Sequence, residues 1–364
     1  MGNTALTRKV DGLSESAVAT AGHLSLWQVR AGVLKEDESA VSVWTFDKAE
    51  LTKKDRPGGP ITDKNVVEEV FKIMQKDVQL LQKCQGIGTL KVIEVIDLGK
   101  SQLAFISEPI VCSLQDSLEG FDNIVGGRTL HKDRFEVGGS IMEMEISRGL
   151  CQVVEAVNVL HTLHNYVHAN LTPESIVITS GGQWKICGFG FSLEFDSVGT
   201  NRAANPYFQE GPSNQMRIEP DLRYCGMELT EGGLSPPTIR YITPAQDTFS
   251  LGVSAFEAYR YSIKLAKENR KHMSVIPLSN NNPLDHPSAL DALYAMDMGF
   301  LPPGLPNLLQ GMMAMQPHSR MSAHDIRHDP FFSSGNLAVL RTVDTLAAKD
   351  VGTQGQDLLA LASE

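Results

Sequence analysis

The sequence predicts an α+β chain built as two lobes, the first rich in strands and the second mainly helical. The chain has 364 residues, which is more than one small core needs and suits two packed units. Residues 21–110 contain short runs of alternating apolar and β-branched residues around one helical stretch. Residues 111–335 then show mostly helical periodicity. An N-terminal segment at 1–20 precedes the first lobe, and a helical extension begins at 336–364.

In the first lobe, two strand patterns precede the helix and two follow it. The stretches "HLSLWQVRAGVL" and "SAVSVWTFD" flank the turn-like "KEDES". "TLKVIEVIDLG" and "QLAFISEPI" return to strand character after the helix. The helix is predicted over 61–85, because its apolar residues share one face: Val66, Val67, Val70, Ile73, Met74, Val78 and Leu81.

In the second lobe, a long apolar stripe predicts a helix over 141–165. The stretches "SIVIT" and "QWKICGF" around "SGG" predict a hairpin. Residues 195–246 are rich in proline, glycine and polar residues, which predicts a long loop with little regular structure. Helices are predicted to resume in "DTFSLGVSAFEAYRYSIKLA", and again in "LDALYAMDMGF", "GLPNLLQGMMAM" and "SAHDIRHDPFF".

Composition restricts the class of partner. The net charge is −11, from 32 basic and 43 acidic residues, which argues against a general affinity for nucleic acid or anionic lipid. The five cysteines are scattered singly, so neither a zinc ribbon nor a disulfide framework is indicated, and a reducing intracellular compartment is expected. No apolar run is long enough to span a bilayer, so we expect no transmembrane segment. Gly2 suggests myristoylation only weakly, because Leu6 stands where that motif needs Ser or Thr.

The stretch "VHANLTPESIVI" at 167–178 has the outline of a protein kinase catalytic loop, H-R-D-L-x-x-x-N followed by a strand. Three further stretches resemble kinase motifs: "YCGME" at 224–228, "DTFSLG" at 247–252 and "PHSRMSAHDIRHDPFF" at 317–332. One such motif is weak evidence, but the set occurs in the order that the family has. The chain therefore resembles the protein kinase family over most of residues 20–335.

The resemblance implies a bilobal kinase-like fold with a set of structural residues. It assigns Asp247 to hydrogen bonds with the catalytic-loop backbone, and Glu228 and Arg320 to a buried ion pair. His168 is expected to pack against Phe189, and we favour this structural role over that of a catalytic base.

The parts of a kinase that handle phosphate are changed. A glycine-rich loop lets backbone amides approach phosphates. In "GHLSLWQV", which the resemblance places in that loop, only Gly22 remains, while Leu24 and Trp27 stand at the later glycine positions. A side chain as large as tryptophan would obstruct the approach. Gly22 stays a candidate nucleotide contact.

The charged pair that orients phosphate in a kinase is also altered. Trp44 stands where the strand lysine of V-A-I-K would fall, and Lys48 lies four residues further on as an imperfect candidate substitute. Asp77 stands at the position of the helix glutamate, where its short side chain has no obvious partner. We favour Trp27 and Trp44 as core aromatics over a ligand-stacking role.

The catalytic loop itself lacks the residues of phosphoryl transfer. Asn170 replaces the catalytic aspartate, and a carboxamide is not a base. Thr172 replaces the following lysine, and Ser175 replaces the asparagine that would bind magnesium. Gly188 replaces the metal-binding aspartate of D-F-G. We therefore expect no catalytic residue and no metal site.

The sequence further resembles the SCY1-like pseudokinases, and within them the branch associated with coated vesicles. The stretches that support this resemblance are "VSVWTFDK", "VHANLTPESIVITSGGQWKICGFGF", "QDTFSLG" and "VDTLAAKD". Members of that family join an inactive kinase domain to a HEAT-repeat solenoid and act in Golgi and clathrin-linked traffic. The resemblance implies a cytoplasmic protein, peripheral on Golgi, endosomal or coated-vesicle membranes, with clathrin, its adaptors or Golgi coat components as partners.

Three functions remain open from the sequence. The first is an inactive scaffold in vesicle traffic that needs no cofactor. The second is a switch that binds ATP without magnesium. The third is a residually active serine/threonine kinase that uses unconventional ligands such as Glu174 or Asp196.

Overall fold

The computed structural model has a strand-rich N-lobe and a helical C-lobe, as the sequence predicts. It describes residues 3–53, 60–119, 121, 123–124, 143–196, 203–204, 219–230, 241–261 and 301–333. The helix predicted at 290–300 and the extension predicted at 336–364 lie outside these residues, as does much of the loop predicted at 195–246.

Six strands form the sheet of the N-lobe: β1 (Val10–Asp11), β2 (Ala19–Ala21), β3 (Trp27–Leu34), β4 (Ala40–Asp47), β5 (Val92–Asp97) and β6 (Gln102–Ser107). Five lie in the order β1, β3, β4, β6, β5, and β2 also pairs with β3. All these pairings are antiparallel. The register sets Trp44 opposite both Val29 and Phe105. Because side chains alternate along a strand, Trp44 faces the main core and Val43 the opposite face.

The outer face of this sheet is covered by α1 (Asn3–Lys9). Leu6 and Val10 are buried in one apolar cluster with Val41 and Val43. Part of the segment before residue 20 therefore contributes to the N-lobe core.

Two more helices complete the N-lobe, α2 (Lys48–Leu51) and α3 (Lys64–Lys83). The longer helix, α3, lies within the predicted 61–85. It begins after Asp63, whose side chain accepts a hydrogen bond from the Asn65 backbone, as a preferred N-cap residue does. Its buried apolar face is formed by Val70, Phe71, Ile73, Met74, Val78 and Leu81.

The C-lobe combines short strands with helices. Its strands are β7 (Ile110–Ser113), β8 (Tyr166–Val167), β9 (Ile176–Thr179), β10 (Trp184–Ile186), β11 (Leu193–Glu194), β12 (Ala203–Ala204) and β13 (Tyr241–Ile242). Its helices are α4 (Leu114–Leu118), α5 (Glu143–Val159), α6 (Met227–Thr230), α7 (Ala245–Tyr261), α8 (Leu305–Met312), α9 (Ala323–Arg327) and α10 (Pro330–Ser333).

The C-lobe elements agree with the pattern of the sequence where the structure describes them. A π-helical turn, Leu160–His164, continues α5 to nearly the end of the predicted helix. The predicted hairpin is formed by β9 and β10. Phe249 and Phe256 of α7 are fully buried in the core between the helices. In the described part of the chain, no helix has the length and apolar character needed to cross a bilayer.

Candidate functional site in the cleft between the lobes

Two tryptophans fill the N-lobe side of the cleft. Trp44 is fully buried, stacks on Phe105 with ring centroids 5.0 Å apart, and donates from Nε1 to Ser107 Oγ at 2.8 Å. Trp27 is 1% exposed and packs edge-on against Phe105, also at 5.0 Å. Neither ring offers an open face to a ligand, so the geometry fits core aromatics and not a stacking platform.

The carboxylate of Asp77 joins the two lobes. It accepts a hydrogen bond from Trp27 Nε1 at 2.8 Å and another from the Phe189 backbone amide at 2.7 Å. The expectation that Asp77 lacks a partner is therefore wrong, because the sequence pattern gave no sign that an indole would reach it. Burial raises the pKa of Asp77 to about 6, against the opposing effect of these hydrogen bonds. An anion held by neutral donors occupies the position of the usual lysine–glutamate pair.

Lys48 does not take the place of the missing lysine. Its Nζ bonds both carboxylate oxygens of Glu68 at 2.8 Å and lies 3.9 Å from the centre of the Phe71 ring. The structure thus holds the Lys48 ammonium group against α3 and does not bring it together with Gly22 or Asp77.

The loop that contains Gly22 is closed against the C-lobe. The Gly22 amide donates to the Glu174 carbonyl oxygen at 2.7 Å. Leu24 and Ser25 both have positive φ values, 53° and 52°, which turn the loop sharply. A Cβ at Gly22 would lie 2.7 Å from Trp27 Cδ1, so only glycine fits beside the tryptophan. The amide that would face a phosphate is already bonded within the protein.

The shape of the catalytic loop is kept by Asp247. One carboxylate oxygen accepts from the His168 amide at 2.7 Å, and the other accepts from the Ala169 amide at 2.8 Å. His168 donates from Nε2 to the Cys187 carbonyl at 2.8 Å, and its ring lies 4.9 Å from that of Phe189. Burial lowers the pKa of His168, so the ring is neutral and serves to position the loop.

The four altered catalytic positions are occupied by internal contacts. Asn170 accepts from the Asp221 amide through Oδ1 at 2.8 Å. Ser175 Oγ donates to the Thr172 carbonyl and accepts from the Thr172 amide, both at 2.8 Å. A Cβ at Gly188 would lie 3.1 Å from Ser175 Cβ. With no carboxylate at these positions and the serine hydroxyl engaged, these residues do not fit a magnesium ion.

The carboxylates of the residually active alternative are poorly suited to it. Burial, with a further contribution from nearby Asp221, raises the pKa of Glu174 to about 8. At neutral pH its carboxyl is mostly protonated and is neither a base nor a good metal ligand. Asp196 is exposed beyond the end of β11.

Strand β7, which opens the C-lobe directly after the last N-lobe strand, uses its backbone groups for internal pairing. Cys112 and Ser113 of β7 pair with Ile178 and Val177 of β9. The Ile110 amide donates to Ser42 Oγ at 2.9 Å. The sequence pattern does not predict this pairing, although the β-branched residues of "IVCS" favour a strand.

The ion pair that the resemblance assigns to the C-lobe is present. Arg320 Nη1 and Nη2 bond the two carboxylate oxygens of Glu228 at 2.6 and 2.8 Å. The Arg320 side chain is fully buried, and its Nε also donates to the Ala314 carbonyl at 2.8 Å. The pair ties α6 to the turn that precedes α9.

The two lobes, the catalytic-loop shape and this ion pair define a protein of the kinase-like class. The chain matches the protein kinase domain over residues 60–332, about three quarters of its length. It is 28% identical over 332 residues to Protein kinase domain-containing protein ppk32 of Schizosaccharomyces pombe, which covers 89% of this chain and 40% of that protein. It is 25% identical over 335 residues to SCY1-like protein 2 of Homo sapiens, covering 92% of this chain and 33% of that protein.

A third relative is Protein kinase-like protein SCY1 of Saccharomyces cerevisiae, 25% identical over 259 residues, covering 67% of this chain and 30% of that protein. The chain therefore belongs to the protein kinase domain family, among its SCY1-like members. It spans between 30% and 40% of the length of these three relatives.

Proposed function

We propose that this chain is a catalytically inactive kinase-like domain that acts as a scaffold or adaptor in intracellular vesicle traffic. The observation that carries the proposal is the contact of Asp77 with Trp27 and the Phe189 amide. At this place a kinase keeps the ion pair that orients phosphate. Here the same position serves to connect the lobes.

Loss of catalysis is supported by the chemistry of the remaining side chains. Phosphoryl transfer depends on a base, a lysine and metal ligands that neutralise developing charge. Losing one oriented charge of such a site costs roughly 3 kcal/mol of transition-state stabilisation. Asn170, Ser175, Gly188 and Trp44 each lack one of these groups. The proposed domain uses neither magnesium nor ATP.

The trafficking role is supported by the SCY1-like resemblance. On that basis the proposed partners are clathrin, its adaptors or Golgi coat components. The proposed location is cytoplasmic, peripheral on Golgi, endosomal or coated-vesicle membranes. The Asp247 contacts and the Glu228–Arg320 pair keep the kinase-like fold. They support the proposal that the folded domain itself binds partners.

Catalysis is tested on the purified chain with labelled ATP and magnesium. We expect no phosphate on the chain or on a generic protein substrate, and no change in thermal unfolding. The matched control is the double variant Glu174→Gln and Asp196→Asn. If the wild type transfers phosphate in a saturable way and the double variant does not, the chain is an unconventional kinase instead. Stabilisation by ATP in the presence of chelator would establish a magnesium-independent switch.

The trafficking role is tested in cells that lack the intact protein. The intact protein with Glu174→Gln and Asp196→Asn should restore Golgi-to-endosome cargo sorting as well as the wild type does. Arg320→Ala should fail to restore cargo sorting, because it removes the ion pair with Glu228 that holds α6 to the turn before α9. Failure of the double variant, at normal abundance and normal thermal stability, would mean that these carboxylates act chemically and that the scaffold proposal is wrong.

A further inference from the structure

A buried aspartate of the C-lobe makes hydrogen bonds that reach into the N-lobe. Asp116 of α4 is fully buried. Its Oδ2 accepts from the Thr20 amide at 3.0 Å, and its Oδ1 accepts from Thr20 Oγ1 at 2.6 Å. Thr20 lies at the centre of β2. We propose that Asp116 is a latch that holds the two lobes closed without a nucleotide between them.

Capping alone does not account for this residue. Among the residues that the structure describes, two capping boxes share the same chemistry, Ser113 with Asp116 at α4 and Ser322 with Asp325 at α9. Asp325 is exposed and bonds the Ser322 amide and hydroxyl at 3.1 and 2.6 Å. Asp116 has the same cap and, in addition, the bonds to β2. Capping a helix therefore requires neither the burial of Asp116 nor its hydrogen bonds to Thr20 across the cleft.

The Asp116 carboxylate is held by neutral donors on both oxygens. Besides the two Thr20 groups, Oδ2 accepts from the Ser113 amide at 2.9 Å and Oδ1 accepts from Asn123 Nδ2 at 2.7 Å. Each carboxylate oxygen of Asp116 accepts two hydrogen bonds. An asparagine at this position would place its NH₂ group, which only donates, against donors in either orientation of the amide. The latch therefore requires a carboxylate.

Closure at this point is reinforced two residues further along the chain, directly after β2. The Gly22 amide donates to the Glu174 carbonyl, so both Thr20 and Gly22 are bonded to the C-lobe. In this arrangement the protein's own groups supply the contacts that hold the cleft shut. The latch concerns lobe closure and does not depend on whether the domain transfers phosphate.

The test is hydrogen exchange of the whole chain, read by mass spectrometry, in two variants and their matched controls. Asp116→Asn should speed exchange in residues 19–29 by about tenfold or more, the equivalent of losing one buried charged hydrogen bond. Thr20→Val keeps the backbone bond and should speed exchange by a smaller factor. Asp325→Asn, which changes only a cap, and Thr52→Val, which changes an exposed N-lobe threonine whose hydroxyl bonds the Ala49 carbonyl at the end of α2, should leave that segment unchanged.

Tryptophan fluorescence gives a second measurement, because Trp27 is 1% exposed and opening would shift its emission to the red. Thr20→Val keeps the test decisive if Asp116→Asn does not fold. Wild-type exchange of residues 19–29 in Thr20→Val would overturn the latch. An equal rise in the exchange rate of both lobes would also overturn it, because that result would mean a general loss of stability. Phosphate transfer by the wild type would refute the proposed function and leave the latch intact.

Discussion

An indole and a backbone amide hold the carboxylate that a kinase would pair with lysine. Trp27 and the Phe189 amide both donate to Asp77, which is 4% exposed. A buried carboxylate without a cation is costly unless donors satisfy it. These two donors must be present together, so Trp27 and Asp77 form one interdependent unit.

The importance of this unit can be measured with a pair of matched substitutions. Trp27→Phe and Trp44→Phe each remove an indole N–H from a buried ring. Trp27→Phe leaves a carboxylate short of a donor, whereas Ser107 still donates its hydroxyl to the Glu108 carbonyl. We expect Trp27→Phe to lower the free energy of unfolding by about 1 kcal/mol more than Trp44→Phe. Equal losses in urea denaturation would contradict the interpretation.

Acid conditions should affect Asp77 in a defined direction. Burial raises the pKa of Asp77 to about 6 from the ordinary aspartate value of 3.8. The folded state therefore takes up a proton at a pH where the unfolded state does not, so its contribution favours folding at low pH and is lost as pH rises through 6.

Asp77→Asn removes this titration. Relative to that variant, the wild type should gain stability as the pH falls from 7 to 4.5. The measurement is the difference in unfolding free energy between the two proteins across that range. A difference independent of pH would show that Asp77 has an ordinary pKa.

The position of α3 depends on a close approach to the turn at 189–191. A Cβ at Gly190 would lie 2.6 Å from Ile73 Cγ2 and 2.9 Å from the Ile73 carbonyl oxygen. Real side chains do not approach backbone so closely, so any larger residue must push the helix away. The glycine thus sets how near α3 lies to the C-lobe.

Gly190→Ala should therefore destabilise the domain by about 1–3 kcal/mol through overpacking. Gly181→Ala is the control, because its Cβ would meet only Thr179 Oγ1 at 3.8 Å, and should change stability by a few tenths. Thermal unfolding compares the two. Similar melting temperatures would mean that α3 can shift freely.

Sequence periodicity was sufficient for elements whose burial pattern is local. The face of α3 and its Asp63 cap could be read from spacing and residue type. The contacts of Asp77 and Asp116 could not, because their partners lie 50 and 96 positions away in the chain. The outer helix α1 was missed because seven residues give too short a pattern.

At the scale of the whole molecule, the ion pair of Glu228 and Arg320 joins two parts of the C-lobe that are far apart in the chain. The Arg320 side chain is fully buried and pairs with Glu228, which is 24% exposed, whereas Arg327 pairs with Glu155 through side chains that are 34% and 27% exposed. Arg320 also donates to the backbone carbonyls of Ala314 and Met315, so its removal leaves these acceptors and Glu228 without their donor.

Arg320→Ala should lower the free energy of unfolding by roughly 3–5 kcal/mol, and Arg327→Ala by about 1 kcal/mol or less. Denaturant unfolding of both variants measures the contrast. A small effect at Arg320 would mean that water or other groups replace its contacts with Glu228.

Strand β7, at the point where the chain passes from the N-lobe to the C-lobe, has a consequence for inhibitor binding. Inhibitors that compete with ATP are built to hydrogen-bond the exposed backbone of a kinase linker. In this chain β7 already pairs with β9, and the Ile110 amide is bonded to Ser42. Such a compound would have to displace the hydrogen bond from Ile110 to Ser42 before it could bond that amide. We expect ATP-competitive inhibitors to show no measurable binding to this chain in a selectivity panel. Chemical probes for it should therefore be sought against its outer surfaces.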